Sequence, residues 1–196
     1  MGSAGAGRIV VAARTTSSFE TLDMTLETVR IGAVLGVAIV AVAFDVRTRR
    51  IPNLLTFGAA ILALLVATLS GGPSATMTAV FAWIVGVALF FPFFALGGMG
   101  AGDVKLLAAL AAWLGPIDAV YMAMFSAMAG GVIGLGVTVL RGYTGQALSN
   151  IWLMLMHWRM VGPKPVPGFT LSDGNAPRLA YAIPIAVGAL CTLWRH

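Results

Sequence analysis

The chain has 196 residues, 59% of them hydrophobic and only 10% charged, with a mean hydropathy of +0.95. Soluble domains carry about 25% charged residues, so this composition excludes an ordinary soluble domain and points to a single polytopic membrane domain. The net charge of +5 comes from 12 Lys and Arg against 7 Asp and Glu; the cations fall between apolar runs, as topology signals and headgroup contacts, not across a soluble face that binds nucleic acid.

Residues 1–28 are small and polar and are expected to form a poorly ordered lead-in to one membrane-embedded domain, residues 29–196. No apolar run before residue 29 is long enough for a signal-peptide core, so no cleaved signal is expected. The first span is expected over Val29 to Phe44 and ends at Asp45. A second covers Leu54 to Leu69 and is closed by Ser70-Gly71-Gly72-Pro73. The third covers Met77 to Leu96, with Pro92 inside an aromatic, kinked end. A fourth, Val104 to Leu114, reaches only about 17 Å against a hydrocarbon core of ~30 Å, so it is recessed or starts from a re-entrant loop. The fifth runs from Ile117 to Leu140, where Gly130-x-x-x-Gly134 fits close helix packing. Residues 141–178 read differently: Thr144 to Met160 mixes polar residues with Trp152, Leu153, Met156 and Trp158, as in a helix lying in the interface, and Val161 to Gly168 is a proline-rich linker. A sixth span, Leu179 to Trp194, contains Pro184. The fold class is therefore all-α, with about six transmembrane helices and one interfacial amphipathic helix.

Lys and Arg follow the first, third and fifth spans and are missing from residues 70–76 and 115–118, so the odd-numbered loops are expected to be cytoplasmic and, with six spans, both termini outside. Asp45 and Asp103 then fall at cytoplasmic span ends. The remaining acids have plainer readings: Glu20, Asp23 and Glu27 precede the membrane, Asp118 opens a helix on the outer side, and Asp173 sits in a turn. Two carboxyls brought together cannot both ionise cheaply, which supplies a general base and a general acid in one site. An interfacial ion pair of Asp45 with Arg47, Arg49 or Arg50 is the competing reading.

No metal or cofactor is expected. His157 and His196 are remote in sequence from both acids, His-Glu-x-x-His is absent, and Cys191, the one cysteine, cannot build a disulfide or zinc cluster. Neither histidine belongs to a recognisable serine or cysteine nucleophile motif.

The stretches Asp45-Val46-Arg47-Thr48-Arg49-Arg50-Ile51-Pro52-Asn53 and Gly100-Ala101-Gly102-Asp103-Val104-Lys105-Leu106 resemble the type IV prepilin leader peptidases, membrane aspartic proteases with a Gly-x-Gly-Asp motif. The small size is most similar to the tight-adherence (Flp pilus) branch. The resemblance covers about residues 29–194 and implies six helices in a bacterial inner membrane, with prepilin leaders cut on the cytoplasmic side. It maps the two catalytic aspartates onto Asp45 and Asp103. The larger members carry a four-cysteine zinc insertion and also methylate the new terminus. This chain has no such insertion, so a peptidase-only form is expected. Provisional site-shaping roles go to Gly98, Gly100 and Gly102 (close approach of substrate or of the other acid), Arg49 and Arg50 (headgroups or an acidic substrate residue), and Pro184 (a gap or kink in the last helix). Asn53 is expected to cap the second helix or bond near Asp45, Pro52 to fill that helix's first turn, and Lys105 to snorkel to headgroups. Partners are then the prepilin and the bilayer, with the oligomeric state open. The alternatives are a non-catalytic assembly or proton-coupled transport protein, and a Gly-x-Gly-Asp intramembrane protease with other substrates; no Tyr-Asp pair or Pro-Ala-Leu run favours the last.

Overall fold

A computed structural model describes residues 3–96, 98–142 and 180–195, with single positions (144, 145, 149, 152, 153, 156, 159, 160 and 162) in between; for residues 3–23 only the backbone is described. The described residues are all-helical: α1 (Ser3–Thr48), α2 (Asn53–Ala95), α3 (Ala101–Leu114), α4 (Pro116–Leu140) and α5 (Ala182–Trp194). Apart from Gly162, the expected linker over residues 161–168 lies outside the described residues, as does most of the expected interfacial helix. Of that helix, Trp152, Leu153, Met156 and Met160 are described as helical and exposed.

Within α1, Val34, Ala38, Ala41 and Asp45 are buried. Their spacing of four, three and four residues is one face of a helix. The stripe that packs α1 on the bundle therefore carries Asp45 inward with it.

Gly72, at φ 66 and ψ −156, breaks α2 into two arms, and Pro73 opens the second. Eight residues of unbroken helix would separate Thr68 and Thr76 by about 12 Å along the axis. Their hydroxyls instead lie 2.8 Å apart, so the chain doubles back at this turn. Every residue of α3 from Leu106 to Leu114 is buried, as are Asp103 and Val104. A helix apolar on all sides belongs in a protein core. The first arm of α2 is tied to it by the Trp113 indole, which donates to the Ala59 carbonyl at 3.0 Å. The second arm comes close at Gly86, where a Cβ would sit 2.7 Å from Ala108 Cα.

Among the described residues three helices are long and apolar enough to cross a membrane: Met24–Thr48, Asn53–Ala95 and Pro116–Leu140. That does not amount to the six spans expected. The second and third expected spans both lie in bent α2, while α3 and α5, with 14 and 13 residues, reach only about 20 Å against a ~30 Å core. Apolarity in α3 reflects protein neighbours on every side. The outward placement of both termini rested on the count of six and goes with it.

At the end away from Asp45, Arg30 donates from Nε to the Trp113 carbonyl at 2.8 Å and from Nη2 to the Leu114 carbonyl at 3.0 Å. Asp118 accepts from Arg195 Nη2 at 2.7 Å, while that guanidinium lies 3.9 Å from the Tyr121 ring centroid. Asp118 does stand in the first turn of α4, and it also joins α4 to the end of α5. Of the glycine stripe, Gly130 faces Pro184 of α5, where an added Cβ would lie 3.7 Å from the proline ring. Among the described residues a Cβ at Gly134 or Gly136 would meet nothing within 4 Å, so within them the expected Gly130–Gly134 packing face makes its contact at Gly130.

Candidate active site

Three helix ends converge on the two acids. Asp45 stands one turn before the end of α1, Asp103 is the third residue of α3, and α5 begins at Ala182. Asp45 Oδ2 accepts from the backbone N–H of Ala182 at 3.1 Å, across 137 positions of sequence. Asp103 Oδ2 accepts from the Gly100 N–H at 3.0 Å, while the Asp103 N–H donates to the Gly100 carbonyl at 3.1 Å. Each carboxyl is thus held through one oxygen by an N–H at a helix start, where donors are otherwise orphaned and the helix dipole favours negative charge.

Both acids are buried, Asp45 at 7% and Asp103 at 8% exposure. Asp103 lies outside the three helices of crossing length. Burial pushes its carboxyl up to about 7; the Gly100 N–H bond pulls it down, and the Asp45 charge beside it pushes it up further. That influence of Asp45 on Asp103 places the two carboxyls within electrostatic reach of one another. The Tyr181 phenol is raised as well, first by burial and then by the charge of Asp103.

The glycines do something narrower than expected. A Cβ on Gly100 would come 3.1 Å from Asp103 Oδ2, and one on Gly102 would come 3.3 Å from Ile51 Cβ. Gly100 makes room for the carboxyl of its own helix start, and Gly102 admits the α1–α2 connection. Gly98 donates to the Phe93 carbonyl at 2.9 Å, folding the chain back toward the end of α2.

Other expected site residues are redistributed. Pro52 is the N-cap of α2, without a side-chain cap bond, and Asn53 is the first residue of the helix. Asn53 Oδ1 instead accepts from Lys105 Nζ at 2.9 Å, and that ammonium lies 5.3 Å from the Phe57 ring centroid. Lys105 is thus a cross-link between α3 and α2 with a cation–π contact, not a free snorkelling cation. Arg49, at φ 54, adopts the left-handed conformation that ends α1, its N–H donating to the Asp45 carbonyl at 2.9 Å. Arg50 is exposed beside it. Pro184 is the third residue of α5, where a missing N–H costs no helical bond, so it starts the helix and does not kink it.

A cavity of about 290 Å³ is lined by Phe90, Phe93, Gly98, Met99, Tyr181 and Pro184 among others; Met99 and Tyr181 each precede the residue whose N–H holds one of the acids. Tyr181 and the Ala182 N–H escaped the sequence reading. A tyrosine before an apolar run is ordinary at a membrane interface, and a backbone donor has no residue signature. Among the described residues no group of three or more His, Cys, Asp or Glu is placed to hold a metal.

The fold and site define a helical membrane protein with two buried carboxyls, each held by a backbone N–H at a helix start. Residues 32–135, just over half of the chain, match the type IV leader peptidase family. The chain belongs to that family, and so is a membrane peptidase of the prepilin leader type. Separate comparisons with curated proteins and with solved structures find no match.

Proposed function

We propose that the protein is an aspartic endopeptidase that removes the leader of type IV, Flp-like prepilins, with Asp45 and Asp103 as its catalytic pair. The observation that carries this reading is the convergence of the two buried acids at three helix ends, each anchored through Oδ2 by a backbone N–H. Oδ1 of each carboxyl is the oxygen left for water and peptide. Asp45 as carboxylate takes a proton from water, whose oxygen attacks the peptide carbonyl. Protonated Asp103 gives its proton to the carbonyl oxygen as the tetrahedral adduct forms. On collapse the adduct hydroxyl returns its proton to Asp103, the C–N bond breaks, and Asp45 passes its proton to the leaving amine. Both groups end as they began.

Residues 29–196 act as one membrane-embedded peptidase unit in a bacterial inner membrane. Arg47, Arg49, Arg50 and Lys105 cluster at the acid-bearing end, which supports a cytoplasmic site under the positive-inside tendency. The lone Cys191 supports a peptidase without the zinc-dependent methylating segment.

The test is co-expression of Asp45→Asn or Asp103→Asn protein with a pilin-like substrate, following leader removal on a gel. Loss of one partner is expected to cost at least ~10²-fold. Full processing by either folded variant overturns the pair.

A further inference from the structure

We infer that the cavity between α2, α4 and α5 receives one large apolar substrate side chain next to the scissile bond. This inference rests on the peptidase reading above and adds a specificity site to it.

The first argument is position. Met99 lines the cavity, and the next residue, Gly100, holds Asp103 Oδ2 through its N–H. Tyr181 lines it from the opposite side, and the next residue, Ala182, holds Asp45 Oδ2. Adjacent Cα atoms are ~3.8 Å apart, so the cavity wall begins one residue from the anchor of each acid. A peptide bond lying between the carboxyls has a flanking side chain within reach of this opening.

The second argument is size. A sphere of about 290 Å³ is roughly 8 Å across, narrower than the ~10–12 Å of a helix with its side chains. The space suits a side chain and excludes a helix.

The third is chemistry. Phe90 and Met99 are buried in the wall, and Phe90 packs edge-on to Phe93 with centroids 6.1 Å apart. The Ser126 hydroxyl is already spent, donating to the Met122 carbonyl at 2.6 Å. A charged or amide side chain entering here would lose its water partners with little in return, whereas an aliphatic or aromatic one gains by burial. The Tyr181 phenol stands on the acid side as the wall's polar group.

Two substitutions should move specificity in opposite directions. A Cβ at Gly130 sits 3.7 Å from the Pro184 ring, so Gly130→Val grows toward the α5 wall and narrows the space. Met99→Ala widens it. The full-length enzyme in detergent is given single-span, pilin-like substrates that carry Ala, Leu, Phe or Trp on either side of the scissile bond. At one of the two positions Gly130→Val is expected to lower the kcat/KM ratio of Phe over Ala by about 10-fold or more, the usual scale for a tight apolar pocket. Met99→Ala is expected to raise the ratio of Trp over Leu at that same position. Each readout is a ratio on one preparation, so partial unfolding lowers both members and leaves the ratio in place. Unchanged ratios at both positions, with wild-type protein still cutting the panel, overturn the subsite alone. A wild-type protein that cuts no member overturns the peptidase reading and the subsite with it.

Discussion

Asp103 stores the cost of the site in one side chain. Its carboxyl rises from 3.8 to about 7 on folding, chiefly through burial. Between those values the folded state binds the proton that the unfolded state has released, so stability falls as pH rises through this window and the loss is complete above about 7. Asp103→Asn keeps an oxygen for the Gly100 N–H and removes the charge. The variant should therefore melt above wild type at pH 8, by up to roughly 4 kcal/mol, with the gap closing toward pH 4. A gap independent of pH would contradict the buried-charge account. The same shift fixes the sign of the activity profile. An acid that must hold its proton fails on the alkaline side, so cleavage should decline as pH rises through about 7, and protonation of the partner carboxylate closes the acid side. Rates that stay flat from pH 6 to 9 would remove Asp103 from the acid role. Arg49 is a second strained point: it holds the left-handed conformation at φ 54 without being glycine.

At the scale of helices, the close contacts are where substitutions cost most. A Cβ on Gly188 of α5 would lie 2.6 Å from the Met122 carbonyl oxygen of α4 and would also meet Ser126 Oγ. Neither neighbour is the flexible tip of a long side chain, so Gly188→Ala should destabilise by about 1–3 kcal/mol, measured as loss of monodisperse protein on heating in detergent. The turn in α2 was legible because Gly71-Gly72-Pro73 supplies both a permissive residue and a helix starter. The inward aim of Asp45 was not legible, because the run before it is apolar on every face and only burial singles out Val34, Ala38 and Ala41. Apolar runs do not say whether lipid or protein surrounds them, so α3 read as a short run, recessed or re-entrant, and its burial by protein came only with the fold. Local pattern was also blind to pairs that only the fold creates, Lys105 with Asn53 and Trp113 with Ala59, and to Tyr181 beside the acids.

Across the whole molecule the two acids occupy one end, and Arg30 fastens the other. Its guanidinium donates to the Trp113 and Leu114 carbonyls, in the last turn of α3, and to Glu27 Oε2 at 3.0 Å. From Arg30 to Asp45 along α1 is about 22 Å, and from Leu114 back to Asp103 along α3 about 17 Å. The clamp thus sets how far α1 lies along α3, while Asp45 is tied separately to α5. Arg30→Ala leaves two terminal carbonyls of α3 without their donor and should cost about 2 kcal/mol of stability. Lysine offers a single ammonium and cannot bridge both carbonyls and Glu27 together, so Arg30→Lys should not restore it. A consequence at the distant site separates positioning from simple destabilisation. If α1 slides, the Asp45 charge recedes from Asp103, and the part of the Asp103 shift owed to that charge disappears. The alkaline limb of the activity profile should then move to lower pH in Arg30→Ala, measured on the folded fraction. A variant that is less stable but keeps its alkaline limb in place would show that Arg30 holds the bundle together without setting the distance between the acids.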